Sequence, residues 1–496
     1  MTYLMKRKLC LFTFFLFCLS VTWVSAKQKS PTLPDSYVIV AGKTLEKDTE
    51  WRPVIDALSQ KHDNASVIYY HNSPYETLYR LKQLRPRYVA VVEKPENLNR
   101  DYVISFHQLS RTIDDDIFAD FLWGIITGYD AAAAMKMVNN STEPLVIKDA
   151  VATIMEISGA KWFDRFGWVD DHKRGLWGEK VSAESDTVNR YTDPKNILGK
   201  FYELYTKYDP DLVVTAAHAT ERNLEMPFSL GNLRPKDGKL YADFKDNPQF
   251  LKESGKRKVY FAVGNCLIGN IDNTKESMAI AWMNGSNAAT MIGYVVTTWY
   301  GRNGWGGLKY WLTTPGRYTL AEAIYLNQQD FLNQQYEWSP WFLAAEYPHG
   351  EKVSNPMREA SRRIQDFTGL EPTMDHIGFM HDRDVLAYYG DPKWDVRLQQ
   401  IPEENDFTVT TQIKGNQCIV TIKTHKNFNL ERMAGDKFKE EHVLDIPFSY
   451  FFPERLNHPK LAPGQEWHAV VDENFLLVYD PKFEPNKTYT IRIDIE

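Results

Sequence analysis

The hydrophobic positions of this chain fall into short continuous runs separated by amphipathic stretches. Tyr37–Ala41, Ser66–Tyr70 and Tyr88–Val92 are such runs, and the segments between them, such as Trp51–Lys61 and Tyr75–Leu84, carry helical patterns. Continuous apolar runs are typical of strands buried on both faces of a parallel sheet. Strands and helices alternating at this spacing predict βαβ units, and therefore an α/β fold with a mostly parallel sheet flanked by helices.

Two later apolar runs end at residues that can do chemistry. One begins at Asp211 and ends at His218, and the other begins at Lys258 and ends at Cys266. Parallel strands bring their carboxyl ends to one rim, where open α/β sheets place their functional crevice. We therefore expect the imidazole and the thiol to meet at this rim, although they are distant in sequence.

A cysteine and a histidine placed in this way suit nucleophilic catalysis. The thiolate attacks, while the imidazole takes the thiol proton or stabilises the thiolate charge. Gly264 and Gly269 permit a tight exit from the strand, and the backbone N–H of Cys266 is then available to an oxyanion. The alternative interpretation is an inert core cysteine beside a polar histidine at the rim, since such a pair alone is a weak signature.

A third strand end adds aromatic surface to the same rim. The apolar run Ala289–Thr298 leads into Trp299–Gly307, a predicted loop that is rich in tryptophan and glycine. Glycine lets the backbone approach a ligand and tryptophan supplies flat apolar area, so this segment is interpreted either as a pocket wall or as a packed surface corner.

The N-terminus has the pattern of a secretory signal peptide. Lys6–Lys8 are basic, Leu9–Val24 is apolar, and small residues precede Lys27, where we expect the mature chain to begin. The alternative, a membrane anchor, needs a longer apolar segment. The sequence thus predicts a protein that is secreted, periplasmic or on the cell surface, with no stable membrane span.

Charge and cysteine content narrow the function classes. The net charge of −7 and the absence of a basic patch with interleaved aromatics argue against nucleic acid as a partner. Of the four cysteines, Cys10 and Cys18 lie in the predicted signal peptide. Cys266 and Cys418 fall in segments assigned to different domains, so we expect free thiols. A free thiol in an exported protein is consistent with catalysis.

Two groups of acidic residues are candidates for binding a cation or a basic substrate side chain. Asp114–Asp116 are consecutive carboxylates that are compatible with a cation such as Ca²⁺, or with a solvated turn or helix cap. Asp164, Asp170 and Asp171 precede the His218 strand, and they either face a basic substrate side chain or pair with neighbouring basic residues. Whether the protein binds a metal ion stays open, and the chemistry of a thiol requires no cofactor.

The pattern changes near the C-terminus, where short alternating strands follow one another from Asp406 to Glu496 without a long helix. This predicts a small all-β sandwich. The predicted organisation is a signal peptide over residues 1–26, an N-terminal α/β subdomain over 27–160, a second α/β subdomain with the candidate site over 161–403, and the sandwich over 404–496.

In their order, these motifs resemble the gingipain-like cysteine peptidases of the caspase-like clan. The resemblance extends over residues 35–496 and is most specific at Thr215–Ala219, Phe261–Gly269, Ala289–Gly306 and Gly390–Pro392. It implies a caspase-like α/β peptidase domain followed by an immunoglobulin-like domain. It also implies that His218 and Cys266 are the dyad, with the N–H groups of Cys266 and Ala219 as oxyanion donors.

The resemblance further implies roles around the dyad. Trp299 and Trp305 fall on a wall of the specificity pocket. Asp164 falls in the region of the acidic residue that recognises arginine in Arg-cleaving members, and Glu156 falls where an acidic residue orients the histidine.

The sequence therefore predicts an exported cysteine endopeptidase acting on a protein or peptide substrate, with a preference for a basic P1 side chain. Two departures from the family pattern, Ala219 in place of glycine and Asn265 in place of alanine, motivate the alternative. In that alternative the chain is an inactive peptidase-fold protein that acts as a secreted binding or scaffolding module.

Overall fold

The structure, a computed structural model, describes residues 30–154, 162–185, 187–193, 195–347, 356–402, 406–430 and 447–496. The predicted signal peptide and Glu156 lie outside these ranges. Within them, no helix is both long enough and apolar enough to cross a membrane.

The described residues build one large sheet of twelve strands, in a mixed α/β fold. From one edge to the other, the strands are Asn189–Thr192, Leu176–Lys180, Arg165–Val169, Asp149–Ala152, Leu212–Thr215, Lys258–Ala262, Ala288–Tyr294, Leu386–Tyr389, Leu122–Ile126, Tyr88–Val92, Tyr37–Gly42 and Ser66–Tyr70.

Ten of the twelve strands form two parallel blocks that run in opposite directions, and the strands Leu176–Lys180 and Asn189–Thr192 pair antiparallel at the edge of the first block. The five strands from Arg165–Val169 to Ala288–Tyr294 are parallel to one another. Leu386–Tyr389 pairs antiparallel with Ala288–Tyr294 and parallel with Leu122–Ile126, so it joins the first block to the strands from the N-terminal part of the chain. The prediction of a mostly parallel sheet is confirmed, and the two predicted α/β subdomains share this one sheet.

The described residues also form ten α-helices. In chain order they are α1 Arg52–Lys61, α2 Leu78–Leu84, α3 Arg100–Ser110, α4 Ala131–Asn140, α5 Ile197–Tyr208, α6 Met278–Gly285, α7 Arg302–Thr313, α8 Leu320–Trp338, α9 Pro356–Thr368 and α10 Met374–Asp382.

Helix α7 corrects the predicted loop over Trp299–Gly307. Gly301 has φ +71° and begins the turn into α7, so Trp305 lies on a helix. A Cβ atom on Gly304 would lie 2.0 Å from the carbonyl oxygen of Val263, so glycine is needed there for the helix to pack against the Cys266 segment. The glycines that indicated a loop instead permit close packing.

The polar segment after His218 is also more regular than the sequence indicated. It forms a small antiparallel sheet of Ala219–Thr220, Asn223–Glu225, Asn232–Lys236, Lys239–Ala242 and Gln249–Phe250. A two-stranded parallel pair joins Leu145–Ile147 to Val396–Leu398.

The C-terminal part is built from two antiparallel sheets around one apolar core. The described strands are Phe407–Lys414, Gln417–Thr424, Thr488–Asp494 and Lys460–Leu461 in one sheet, and Phe448–Phe451, Phe475–Val478 and Ala469–Asp472 in the other. Thr32–Leu33, near the N-terminus, pairs with Arg455–Leu456 of this part. The immunoglobulin-like assignment stays a prediction.

Candidate active site

His218 lies just beyond the strand Leu212–Thr215, on a backbone held by side chains. Ala217 before it has φ +126°, a conformation that a residue with a Cβ rarely adopts. Thr153 fixes the preceding residue, because its hydroxyl accepts from the N–H of Ala216 and lies 3.0 Å from the Ala216 carbonyl oxygen. The His218 side chain is exposed.

Cys266 lies beyond the neighbouring parallel strand, Lys258–Ala262, and its backbone is also constrained. Leu267 has φ +58°, and its N–H donates to the Val296 carbonyl oxygen at 2.9 Å. The half-buried thiol of Cys266 donates to the carbonyl oxygen of Thr298 at 3.2 Å. Strained backbone of this kind clusters at functional sites, where the surrounding structure holds it in place.

Both residues line one cavity of about 520 Å³ at the carboxyl ends of the strands. The predicted pocket residues Trp299 and Trp305 line it as well, Trp299 exposed and Trp305 buried. The remaining lining residues are Asp171, Ala217, Glu225, Met226, Pro227, Phe228, Ser229, Gly264, Thr298, Tyr300 and Gly301.

Burial raises the pKa of the Cys266 thiol. In the described structure this thiol bonds to the Thr298 carbonyl and not to the imidazole of His218. The resting Cys266 side chain is therefore a neutral thiol, and a neutral thiol must lose its proton before it can act as a nucleophile.

Alkylation of Cys266 by iodoacetamide is expected to rise with pH along a curve whose midpoint lies above the free-cysteine pKa of about 8.5. The reason is that the reagent reacts with the thiolate, which burial disfavours. Mass spectrometry of the peptide that contains Cys266, between roughly pH 6 and pH 10, measures the curve. The buried Cys418, whose pKa is raised to about 11 by burial, is the internal reference. A Cys266 midpoint at or below the free value contradicts the prediction.

The buried carboxyl of Asp382 binds both Thr298, whose carbonyl oxygen accepts from the thiol, and the first turn of α7, which forms part of the cavity wall. Asp382 accepts from the Asn303 N–H at 2.6 Å and from the hydroxyl of Thr298 at 3.4 Å. It therefore binds an unpaired N–H at the start of α7, where the N-cap residue Gly301 has no side chain to do so. Burial raises the pKa of Asp382 to about 7.

The structure places Asp164 away from the cavity, which corrects the prediction for this residue. Asp164 precedes the strand Arg165–Val169, which runs in the same direction as the His218 strand, so it lies at the amino end of the sheet. Its carboxylate accepts from the side-chain amide of Gln399 at 3.2 Å. Asp170 is buried in a turn and accepts from the N–H groups of His172 and Lys173.

Two other carboxylates line the cavity, Asp171 and Glu225. Asp171 follows the strand whose amino end carries Asp164. A carboxylate oxygen of Asp171 lies 3.8 Å from the Nε2 atom of His172. Glu225 lies opposite His218 in an antiparallel pair, since its N–H donates to the His218 carbonyl oxygen at 2.9 Å. Sequence analysis missed Glu225, because the pairing that brings it to His218 is formed by a segment without a clear strand pattern.

The acidic run near Asp114 has the geometry of a turn. Asp114 accepts from the Asp116 N–H, and Asp116 accepts from the Phe118 N–H at 2.7 Å. Across the described ranges, no group of three or more His, Cys, Asp or Glu side chains is arranged to hold a metal ion.

No protein-family profile matches the sequence, and no curated protein matches it. Among solved structures, the chain is similar to one described as "Structure of Protease", at 9% identity and TM-score 0.41, covering 80% of this chain and 85% of that one. It is also similar to the complex of the pro- and mature domains of Porphyromonas gingivalis RgpB, at 10% identity and TM-score 0.38, covering 93% and 100%.

A third similarity is to the Arg-specific cysteine proteinase gingipain R (RgpB), at 9% identity and TM-score 0.40, covering 94% of each chain. The family that the sequence resembles is thus among the solved structures to which the chain is similar.

Proposed function

We propose that the protein is an exported cysteine endopeptidase with Cys266 as nucleophile and His218 as general base and acid. The observation that supports this most is the shared cavity: an exposed imidazole and a half-buried thiol, from neighbouring parallel strands, line one concave surface. The cavity is open to a polypeptide and is lined in part by aromatic side chains that can hold one.

In the proposed reaction, His218 takes the thiol proton and the sulfur of Cys266 attacks the scissile carbonyl carbon. The C–N bond breaks as His218 returns the proton to the leaving amine, which leaves a thioester on Cys266. Water, deprotonated by His218, then attacks the thioester and releases the acid and the thiol.

The N–H groups of Cys266 and Ala219 are the proposed donors to the oxyanion. Ala219 pairs with Leu224, the position next to the hydrogen-bonded pair of His218 and Glu225. Antiparallel ladders alternate, so the Ala219 N–H points away from its partner strand and is available to a substrate. Alanine in place of the family's glycine retains this donor.

Incubation of the exported, processed chain with a mixed peptide library tests the proposal. Cleavage that stops when Cys266 is alkylated, while alkylation of Cys418 has no effect, supports a cysteine endopeptidase. No cleavage of any peptide, with Cys266 no more reactive than Cys418, contradicts it.

The second candidate is an inactive, secreted binding module with the same fold. The hydrogen bond of the thiol to Thr298 rather than to His218 favours it, because the resting pair is not coupled. Fluorescence titration with library peptides separates the two: binding without cleavage, with affinity unchanged in Cys266→Ala, supports a module.

A basic P1 side chain is the proposed specificity. Among the described residues that line the cavity are the acidic residues Asp171 and Glu225, and none of these lining residues is a lysine or an arginine. A carboxylate pairs with guanidinium through charge-assisted hydrogen bonds, and the exposed indole of Trp299 offers a face on which it stacks.

The double variant Asp171→Asn, Glu225→Gln is expected to lower kcat/KM for an arginine P1 reporter by about 10- to 100-fold, as expected for loss of charge-assisted bonds. The same reporter with leucine at P1 is expected to change little. Asp164→Asn is the matched control, because its carboxylate lies at the other end of the strand. A wild-type preference for an apolar or acidic P1, or an arginine preference intact in the double variant, contradicts the assignment.

A further inference from the structure

We propose that Asn265 is a positioning residue that holds the His218 loop against Cys266; the inference rests on the proposed function of this pair. In the sequence, Asn265 is a departure from the small residue that the family often has before its cysteine. In the structure its side chain is fully buried and does not line the cavity. It is directed toward the neighbouring strand end and leaves the cavity free for substrate.

The side-chain amide of Asn265 joins the two strand ends by two hydrogen bonds. Its oxygen accepts from the hydroxyl of Thr215 at 2.7 Å, and its nitrogen donates to the carbonyl oxygen of Ala217 at 2.8 Å. The hydroxyl of Tyr260 lies 2.8 Å from that of Thr215 and continues the chain into the sheet. Tyr260 is itself fixed by stacking on Trp282, with ring centroids 3.9 Å apart.

The bond to Ala217 acts where the backbone most needs support. With φ +126°, Ala217 is in a region that a residue with a Cβ leaves unless its neighbours hold it there. Thr153 holds Ala216 on one side, and Asn265 holds the Ala217 carbonyl on the other. His218 is the next residue, so the direction of its side chain depends on this bond.

The same residue is adjacent to the nucleophile in sequence. Cys266 lies between Asn265, whose side chain binds the His218 loop, and Leu267, whose N–H binds Val296. One amide therefore sets the position of both reacting groups. A misplacement of about 1 Å between reacting groups can lower a rate by roughly 100-fold.

The test is a double-mutant cycle between Asn265→Ala and His218→Ala, read as the rate of iodoacetamide alkylation of Cys266 against pH. This readout needs no peptide turnover, so it separates failure of the inference from failure of the peptidase proposal. The thiolate that iodoacetamide attacks forms when the thiol leaves the Thr298 carbonyl and passes its proton to His218. If Asn265 acts through His218, Asn265→Ala lowers the rate near pH 7 by about 10-fold, and adding it to His218→Ala changes nothing further. With a peptide substrate, kcat falls by about 10- to 100-fold and KM changes little.

Two further variants keep the test decisive. Ala217→Gly tolerates the positive φ, so combined with Asn265→Ala it is expected to restore part of the rate. Thr215→Val removes the hydroxyl that donates to Asn265 and retains the side-chain volume. It takes the place of Asn265→Ala in the double-mutant cycle if Asn265→Ala does not fold. The control is Asn457→Ala, which removes a buried asparagine of the C-terminal part whose side-chain amide donates to the carbonyl oxygen of Ser30, and it leaves alkylation unchanged. Additive effects of Asn265→Ala and His218→Ala, or a pH profile identical to wild type, overturn the inference.

Discussion

Replacing Cys266 by alanine is expected to lower peptide hydrolysis by on the order of 10³-fold or more, the usual loss when a nucleophile that acts with its base is removed. The thiol is the group in the cavity able to form the thioester, and alanine leaves the cavity and the Asn265 bonds intact. Turnover of a fluorogenic peptide by the purified, processed chain measures the loss. His218→Ala is expected to lower turnover similarly, and the double variant little further.

Cys418→Ala is the matched control for this experiment. Cys418 is also a free thiol, but it is buried in the core of the C-terminal sheets. Its replacement should leave turnover unchanged after correction for folded protein. Activity that persists in Cys266→Ala and is lost in Cys418→Ala would remove the basis for the proposed nucleophile.

The largest expected effect on stability comes from a buried ion pair behind the cavity wall. Arg302 begins α7 and Asp330 lies in α8; both are fully buried, with 3.2 Å between the guanidinium nitrogen and the carboxylate oxygen. Arg302→Met is expected to cost about 3–5 kcal/mol of unfolding free energy, because it leaves the Asp330 charge buried without its partner. Urea unfolding followed by tryptophan fluorescence measures the loss.

The double variant Arg302→Met, Asp330→Leu separates the charge from the packing. It is expected to recover part of the stability, since the apolar pair removes the buried charge. Recovery is incomplete because the side chains of Asn327, Gln334 and Tyr479 each lose a hydrogen-bond partner. Arg362→Met provides an exposed comparison: Arg362 pairs with Glu359 and Asp366 on the surface of α9, and its loss should change stability little. A double variant less stable than Arg302→Met would contradict the explanation.

The strand ends were predictable because their signals are local. Leu212–Thr215 and Lys258–Ala262 are buried along their whole length, as continuous apolar runs indicate. Their parallel pairing brings His218 and Cys266 to the same rim, as the sheet rule requires.

The rest of the site depends on pairings that the sequence does not display. Asp164 precedes the strand Arg165–Val169 and Asp171 follows it. Which of the two lies at the cavity depends on whether this strand runs in the same direction as the His218 strand. Glu225 reaches His218 through a short antiparallel pair in a polar segment. For Asn265, the sequence shows a larger side chain than expected, but not the side to which it turns.

The burial of the Cys266 thiol has a consequence for its resistance to oxidation. Peroxides and disulfides react with thiolates, so a cysteine kept protonated and half-buried is oxidised slowly. In the proposed exported peptidase, the nucleophile can then persist in an oxidising environment without a pairing cysteine, and it becomes reactive when a bound peptide draws the proton toward His218. Protection from oxidation and the cost of activation have the same origin in the burial of this thiol.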